Sequence, residues 1–402
     1  EVSKKTTINN ISCLLKNNEN KLPDKIYLGK NNINKFLFLE LHHEMSLLKS
    51  KIDEKEYVKH WDRAKRKVNP YELVNMSGTN VSKNEVINSS TNIIPLSRSF
   101  FKMTEMLYSI NIIPKYYLSN NGIIANVAEG PGGFIEAIYK YRVNKNIKDI
   151  HYCITLQSKN RNIPGWNQLQ RRKSHFLHNK YIHLKTGSLY NTHTIRKYAK
   201  SFENKKAFLV TGDGGFDYSG DFNNQEISSL KIIFAEITTG VLIQEKKGSM
   251  ICKMFDLFTY FSLQMIYILS FLYEKVYIFK PVTSRPANSE KYIIATGFKG
   301  ATTEFINSMI ECIDNWDKIL EDEKEIFIKN LILPSMFIEE MKKINKLFTE
   351  NQKMYINKTF NFISGEIPLY NQDKYSNWFK VHNLLNKKSF FNKVKNSKIL
   401  KR

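Results

Sequence analysis

Cysteine is scarce in this chain of 402 residues: Cys13, Cys153, Cys252 and Cys312 stand far apart, with no Cys-x-x-Cys pair and no Cys/His cluster. That spacing excludes a zinc ribbon and a disulfide framework, and it fits a reducing, intracellular compartment. His42-His43 has no partner at HxxxH or HxxE spacing, so it reads as a solvated helix face, and no metal is expected. Ten prolines and 17 glycines are too few for a collagen-like or Gly/Pro low-complexity chain. Long hydrophobic runs are missing too. The most apolar stretch, Leu257 to Tyr273, holds Gln264, Thr259, Ser262 and Ser270. It falls short of the roughly 20 apolar residues of a membrane span and reads as a buried core helix. The opening Glu-Val-Ser-Lys-Lys has no apolar signal segment, so no membrane role is expected. Acidic residues are the last shortage: 38 Asp and Glu face 61 Lys and Arg, a net charge of +23. After Asp373 no carboxylate side chain occurs, while lysines accumulate to the end, as in a nucleic-acid-binding tail or a solvated disordered end. A surplus of this size points to a polyanionic partner, nucleic acid before membrane.

Hydrophobic residues make up 42% of the chain and aromatics 13%, enough for a sizeable core. Leu37, Leu41, Met45, Leu48 and Ile52 recur at helical steps, and residues 75–95 read as a polar loop. From residue 96 strands and helices alternate. A helix is predicted over Ser97–Tyr108, a strand over Gly122–Ala128 and a helix over Phe134–Arg142. Further strands are predicted over His151–Leu156, Ala207–Thr211, Gly248–Met254, Lys275–Phe279 and Lys291–Thr296. This alternation implies an α/β fold with a mostly parallel sheet and helices on both faces. The last two strands leave no room for a helix between them and imply an antiparallel edge. Three regions result: a helical and loop-rich extension over 1–95, the α/β domain over 96–300, and a helical region with a basic tail over 301–402.

Four motifs carry chemistry. Ala128-Glu-Gly-Pro-Gly-Gly-Phe134 follows a strand and opens a helix, where glycines let backbone approach a ligand and expose helix N-terminal N–H groups. Its spacing is neither that of a dinucleotide fingerprint nor that of a phosphate loop. Asp213-Gly-Gly-Phe-Asp follows the strand AFLVT, at the strand end where α/β sheets bind ligands. Lys253 closes an apolar strand and is costly to bury unless paired. Thr283-Ser-Arg-Pro-Ala-Asn-Ser-Glu290 precedes the final strand. Its Glu290 can pair with a buried lysine, and Ser284, Arg285 and Asn288 suit phosphate and ribose contacts.

Taken together, RKVNPYEL, SRSFFKMTEML, AEGPGGF, DGGFD, ICKMFDLFTYFS and KPVTSRPANSEKY resemble the FtsJ-like S-adenosylmethionine-dependent RNA 2′-O-methyltransferases. The wording is most similar to the mRNA cap 2′-O-ribose methyltransferases of animals and large DNA viruses. The resemblance covers roughly residues 60 to 300. It implies a Rossmann-like methyltransferase sheet, S-adenosyl-L-methionine as cofactor, capped mRNA as partner, and a Lys-Asp-Lys-Glu tetrad matched by Lys102, Asp213, Lys253 and Glu290. It further implies that Ala128, Glu129, Gly130, Pro131, Gly132, Gly133 and Phe134 line the cofactor pocket with Ser188, Leu189 and Asp213. Lys65, Arg98, Asn223, Gln225, Ser284, Arg285 and Asn288 match positions near the RNA or cap. The chain departs from the pattern at Asn126, where most relatives carry Asp, at Glu129 in place of a small residue, and at Ser188 in place of an acidic one.

The expected reaction carries a cap 0 end to cap 1 by an in-line displacement on the ribose of the first transcribed nucleotide. Lys253 then orients the 2′-oxygen, Lys102 supplies a second cation, and Asp213 and Glu290 hold both ammonium groups. Whether Lys253 is a base or a steering group is open at this stage. Two alternatives stand beside this one: a ribosomal or transfer RNA 2′-O-methyltransferase, and a non-catalytic cap- or RNA-binding subunit that kept the fold. A protein partner within a capping or transcription complex would engage residues 301–402. The Lys/Asn/Ile bias suggests an AT-rich genome, so the expected location is a viral factory, the virion or the cytoplasm for a viral protein and the nucleus for a cellular one.

Overall fold

A computed structural model describes residues 11–15, 22–31, 36–75, 95–143, 145–158, 163, 165–166, 180–215, 222–320, 325–365, 378 and 382. The predicted loop over 75–95 falls almost wholly outside the described residues, as do the basic run Arg171-Arg-Lys173, a candidate for phosphate contacts by its charge, and most of the tail beyond Asp373.

The strands are β1 (Ile11–Leu14), β2 (Leu28–Asn31), β3 (Ile123–Val127), β4 (Ile150–Thr155), β5 (Ile182–Thr186), β6 (Ala207–Gly212), β7 (Gln244–Met254), β8 (Tyr273–Lys280), β9 (Lys291–Phe298) and β10 (Glu325–Ile328). Eight form one sheet in the order β1-β8-β9-β7-β6-β3-β4-β5. The block β7-β6-β3-β4-β5 is parallel. β9 runs antiparallel to both β7 and β8, and β1 adds to β8 antiparallel. The last two predicted strands thus do pair antiparallel. The outermost strand on that side is β1, from the N-terminal region.

The helices are α1 (Leu39–Ser50), α2 (Lys55–Lys67), α3 (Glu72–Asn75), α4 (Ser99–Ser109), α5 (Gly133–Val143), α6 (Thr192–Lys200), α7 (Gln225–Ile243), α8 (Tyr260–Leu272), α9 (Thr303–Leu320) and α10 (Ser335–Ile363). Both sheet faces are covered, and the period of two in each strand divides the core. Ile124, Leu209, Ile251 and Ile294 meet α4 and α5 on one face. Ala125, Val210, Cys252 and Ala295 meet α7 and α8 on the other. Two covered faces explain why β3 reads as an unbroken apolar run around one amide, Asn126, with all five residues buried. The predicted core helix 257–273 is α8. No described helix is long and apolar enough to cross a membrane.

The two ends of the chain interlock rather than extend separately. β2 pairs antiparallel with β10, and α1 and α2 pack against α10. Of the predicted stripe, Met45 and Ile52 are buried, and Leu37, Leu41 and Leu48 are partly buried against the core. His43 is exposed, whereas His42 is half-buried and stacks on Phe36, so only one of the pair is a solvated residue.

This topology has a consequence for placement. The carboxyl ends of β3, β6, β7 and β8 share one edge of the sheet, and the loop 281–290 between β8 and β9 lies on that same edge.

Candidate active site

One wall of the site is built from the β3–α5 turn. Ala128 has φ +52° and Gly132 φ +107°, so the chain reverses within a few residues and α5 starts at Gly133. A Cβ at Gly133 would stand 2.1 Å from Ser99 Oγ and 2.2 Å from Ser97 Oγ, which is why the start of α5 can lie against the start of α4 only as glycine. The Gly130 N–H donates to Thr155 Oγ1 at 3.1 Å and ties the turn to β4. Ala128, Gly130 and Pro131 face a cavity of about 860 Å³, with Ser188 and Leu189 also on its lining. Glu129, Gly132, Gly133 and Phe134 do not line it. Phe134 belongs to the core, and Glu129 folds beneath the turn, where its Oε1 accepts the Phe134 N–H at 2.9 Å. Burial, reinforced by the charge of Asp213, pushes the Glu129 carboxyl well above the usual range.

Asn126 lies under the same turn. Its amide donates to Thr211 Oγ1 at 2.8 Å, and its Oδ1 meets His151 Nδ1 at 3.2 Å. Burial lowers His151 to about 4, which keeps the ring neutral. An amide both donates and accepts in this uncharged surrounding, which accounts for Asn at a position where a carboxylate was expected.

The opposite wall is ionic. Lys102, one turn into α4, pairs with Glu290 at 2.6 Å. Lys253, at the end of β7, pairs with Asp213 Oδ1 at 3.2 Å and donates to the Asp213 carbonyl at 2.7 Å. All four side chains border the cavity and are 12–14% exposed. They come from one helix, the ends of two strands and one loop, and they meet because the strand ends converge. Tyr292 joins the two pairs. Its hydroxyl lies 3.2 Å from Asp213 Oδ1 and 3.0 Å from Glu290 Oε1 and can donate to either. Sequence reasoning missed this residue. Its signal was the spacing: two steps beyond Glu290 at the start of a strand puts both side chains on one side, and the β7–β9 register sets Tyr292 opposite Lys253.

Burial works to lower the Lys253 ammonium, but the carboxylates of Asp213, Glu290 and Glu236 outweigh it and hold the group above its ordinary value. Burial likewise works to raise Glu290, and Lys102, Lys253 and Lys280 hold it well below the usual carboxylate range. Behind Asp213, Glu236 accepts the Gly214 N–H at 2.7 Å, and burial raises its carboxyl to about 8.

The residues expected near RNA divide. Arg98 and Gln225 border the cavity. Lys65 pairs with Asp62 and is lowered first by burial and then by the nearby cations Arg285 and Arg98, so these three form a basic rim. Asn223 donates to Ser50 at 3.1 Å, away from the cavity lining. Arg285 forks onto Glu72 at 2.8 and 3.1 Å. Ser284 donates to Glu290 at 3.1 Å, and Asn288 takes a buried lysine. Ser284 and Asn288 are therefore committed to their own loop, where the sequence had suggested ligand contacts. No group of His, Cys, Asp and Glu among the described residues could hold a metal ion.

The arrangement offers a large pocket with an uncharged, backbone-lined side, two half-buried cations and two half-buried carboxylates. That combination can seat a cationic ligand beside a hydroxyl and hold the hydroxyl oxygen by an ammonium. Residues 95–298, half of the chain, match the model of the FtsJ-like methyltransferases. Over 261 residues the chain is 28% identical to cap-specific mRNA (nucleoside-2′-O-)-methyltransferase 1A of Caenorhabditis briggsae, covering 60% of this chain and 28% of that protein. It is 26% identical over 261 residues to the inactive cap-specific mRNA (nucleoside-2′-O-)-methyltransferase 1B of the same nematode, covering 60% and 29%. The chain thus spans less than a third of the length of these relatives. Among solved structures, a Plasmodium falciparum protein described provisionally as a ribosomal RNA methyltransferase superposes with a TM-score of 0.36 at 19% identity, covering 51% of this chain and 98% of that one.

Proposed function

This chain belongs to the FtsJ-like methyltransferase family, and from that premise we propose that it is an S-adenosylmethionine-dependent RNA 2′-O-methyltransferase acting on the first transcribed nucleotide of capped mRNA. The observation that carries the reading is the convergence of Lys102–Glu290 and Lys253–Asp213 on one cavity, joined through Tyr292. Relatives of nearly equal identity include one named as inactive and one whose name carries no such word, so the side chains, not the degree of likeness, have to decide.

The residues present fit the cofactor. The turn Ala128–Pro131 presents backbone rather than bulky side chains, Ser188 and Leu189 offer a further contact, and Asp213 places a carboxylate where a sulfonium charge is favoured. S-Adenosylmethionine supplies an electrophilic methyl group. The chain's own part is alignment and charge. Lys253, held as an ammonium, donates to the ribose 2′-oxygen and fixes its line of attack. Asp213 and Glu290 keep both lysines in place; the C–O bond would form as the methyl's bond to the sulfonium sulfur breaks, leaving a neutral thioether, and the hydroxyl proton would pass to Asp213. The steering role of Lys253 thus follows from the carboxylates around it, which keep the ammonium from acting as a free base at rest. The basic rim of Lys65, Arg98 and Arg285 gives the RNA phosphates a path to the cavity.

The test is methyl transfer from labelled S-adenosylmethionine to two RNAs of identical sequence, one capped and one not, with the methylated ribose mapped. A methyl on the first transcribed nucleotide of the capped RNA alone is expected. Equal transfer to uncapped RNA would move the assignment to a ribosomal or transfer RNA enzyme. Binding of capped RNA without transfer would mark a non-catalytic subunit.

A further inference from the structure

Each polar side chain of the segment from Lys280 to Lys291 has a partner elsewhere in the protein or in the segment itself. Thr283 donates to Glu105 on α4 at 3.0 Å, which also takes the Val282 and Thr283 N–H groups. Ser289 donates to Gln225 on α7 at 2.7 Å. Lys291 donates to the Ser289 carbonyl at 2.9 Å and to the Phe255 carbonyl. Lys280 is the centre of the network. It is 6% exposed, and its Nζ donates to the Asn288 carbonyl at 2.7 Å, to the Glu290 carbonyl at 2.6 Å and to Asn288 Oδ1.

Three acceptors use all three N–H groups of an ammonium, whereas a neutral amine has only two. A buried ammonium held by neutral carbonyls is a costly way to close a loop, and an apolar side chain would avoid the desolvation. What Lys280 closes is the loop that ends at Glu290, and it grips that residue by its backbone while Lys102 takes the carboxylate.

We propose that Lys280 is a positioning residue for the methyl transfer: it fixes the backbone at Glu290 and adds a buried positive charge behind it, so that the carboxylate stays ionised and aimed at Lys102. The proposal rests on the functional reading above, with Glu290 as the group acted upon. Glu290 is faced by Lys102 from α4, Arg98 from the residue just before it, Lys253 from β7, Tyr292 from β9 and Ser284 from its own loop, with Asp213 across Tyr292. Lys280 in turn is faced by Glu290, Lys291, Lys102 and Asp256; burial first, and then the two neighbouring lysines, pull its ammonium well below the ordinary range, and the three acceptors at its Nζ together with Glu290 are what favour the proton.

The experiment compares wild type with Lys280→Met. Methyl transfer is followed across pH, cofactor affinity by calorimetry, and the Glu290 carboxyl by 13C NMR titration. Lys280 lies outside the cavity lining, so cofactor affinity is expected to stay within about twofold. kcat is expected to fall about 100-fold. Loss of a cation raises the pH at which Glu290 protonates, so the acid limb of kcat and the carboxyl titration should both move upward. Ordinary loss of packing would leave that limb where it is. A folded Lys280→Met protein with wild-type kcat or an unmoved acid limb overturns the proposal. If that variant does not fold, Asn288→Ala removes one acceptor. A kcat loss with the same upward movement supports the proposal, and wild-type behaviour overturns it. A wild-type protein that methylates no RNA would defeat the functional reading instead. The Glu290 titration in whichever variant folds then still decides the role of Lys280.

Discussion

The two walls of the cavity are built on opposite principles. The β3–α5 turn has almost no charge at its surface, and its shape comes from missing side chains: Gly133 against Ser97 and Ser99, and Gly132 at positive φ. Beneath it lie groups held neutral, His151 and the amide of Asn126. The wall formed by α4, the end of β7 and the loop 281–290 is the reverse. There, shape comes from paired charges and from a loop whose polar groups are already taken. The difference separates two tasks. A neutral, backbone-lined wall accepts a ligand without competing for its charges. A saturated ionic wall costs little reorganisation when charge shifts during reaction.

Three substitutions test that division. The largest effect is expected from Lys253→Ala, which leaves Asp213 and Glu290 with one cation between them. Methyl transfer should fall about 10³-fold while cofactor binding, measured by calorimetry, changes little. Near wild-type turnover would remove Lys253 from the mechanism. Gly133→Ala attacks the other wall by shape alone. The added Cβ must displace two serine hydroxyls and the Phe100 N–H. A loss of about 1–3 kcal/mol in denaturant unfolding is expected, with weaker cofactor binding. Unchanged stability would mean that the close approach of α4 and α5 is not needed. The smallest effect is expected from Asn126→Asp, which puts charge into the neutral wall. His151, lowered to about 4 by burial, would gain an anionic neighbour and titrate at higher pH. Its ring signals by NMR should show that rise. In the wild type the ring stays neutral as pH falls below 6.5, while the unfolded chain takes up the proton. This group therefore withdraws stability between about 6.5 and 4. A carboxylate at 126 should weaken that loss, since the folded ring could then also bind the proton.

How much of this was readable in the sequence depends on which wall is considered. The parallel strands announce themselves through apolar runs such as IIANV and AFLV, and the glycine turn through its composition. Those signals are local. Lys102, Asp213, Lys253 and Glu290 were singled out through motif wording, and these four side chains meet as two ion pairs on one cavity. What escaped depends on partners distant in the chain. β5 (IHLKT) is short and largely polar on its surface, so its pairing with β4 outweighs a weak local pattern. β1 is a strand because β8 offers it an edge. Arg285 and Asn288 looked free to bind phosphate and ribose because Glu72 and Lys280, which claim them, stand elsewhere in the sequence. Tyr292 was hidden among 21 tyrosines and is distinguished only by its register against Lys253.

The pairing of Ile11–Leu14 with β8 also bears on how the chain is made and handled. Synthesis delivers β1 well before β8, and that partner emerges only after most of the sheet exists, so β1 waits while the rest assembles. Until it docks, β8 presents a row of open backbone donors and acceptors, which is a template for pairing between molecules. Preparations lacking the first 15 residues should therefore self-associate through that border, and their handling would be governed by aggregation more than by catalysis.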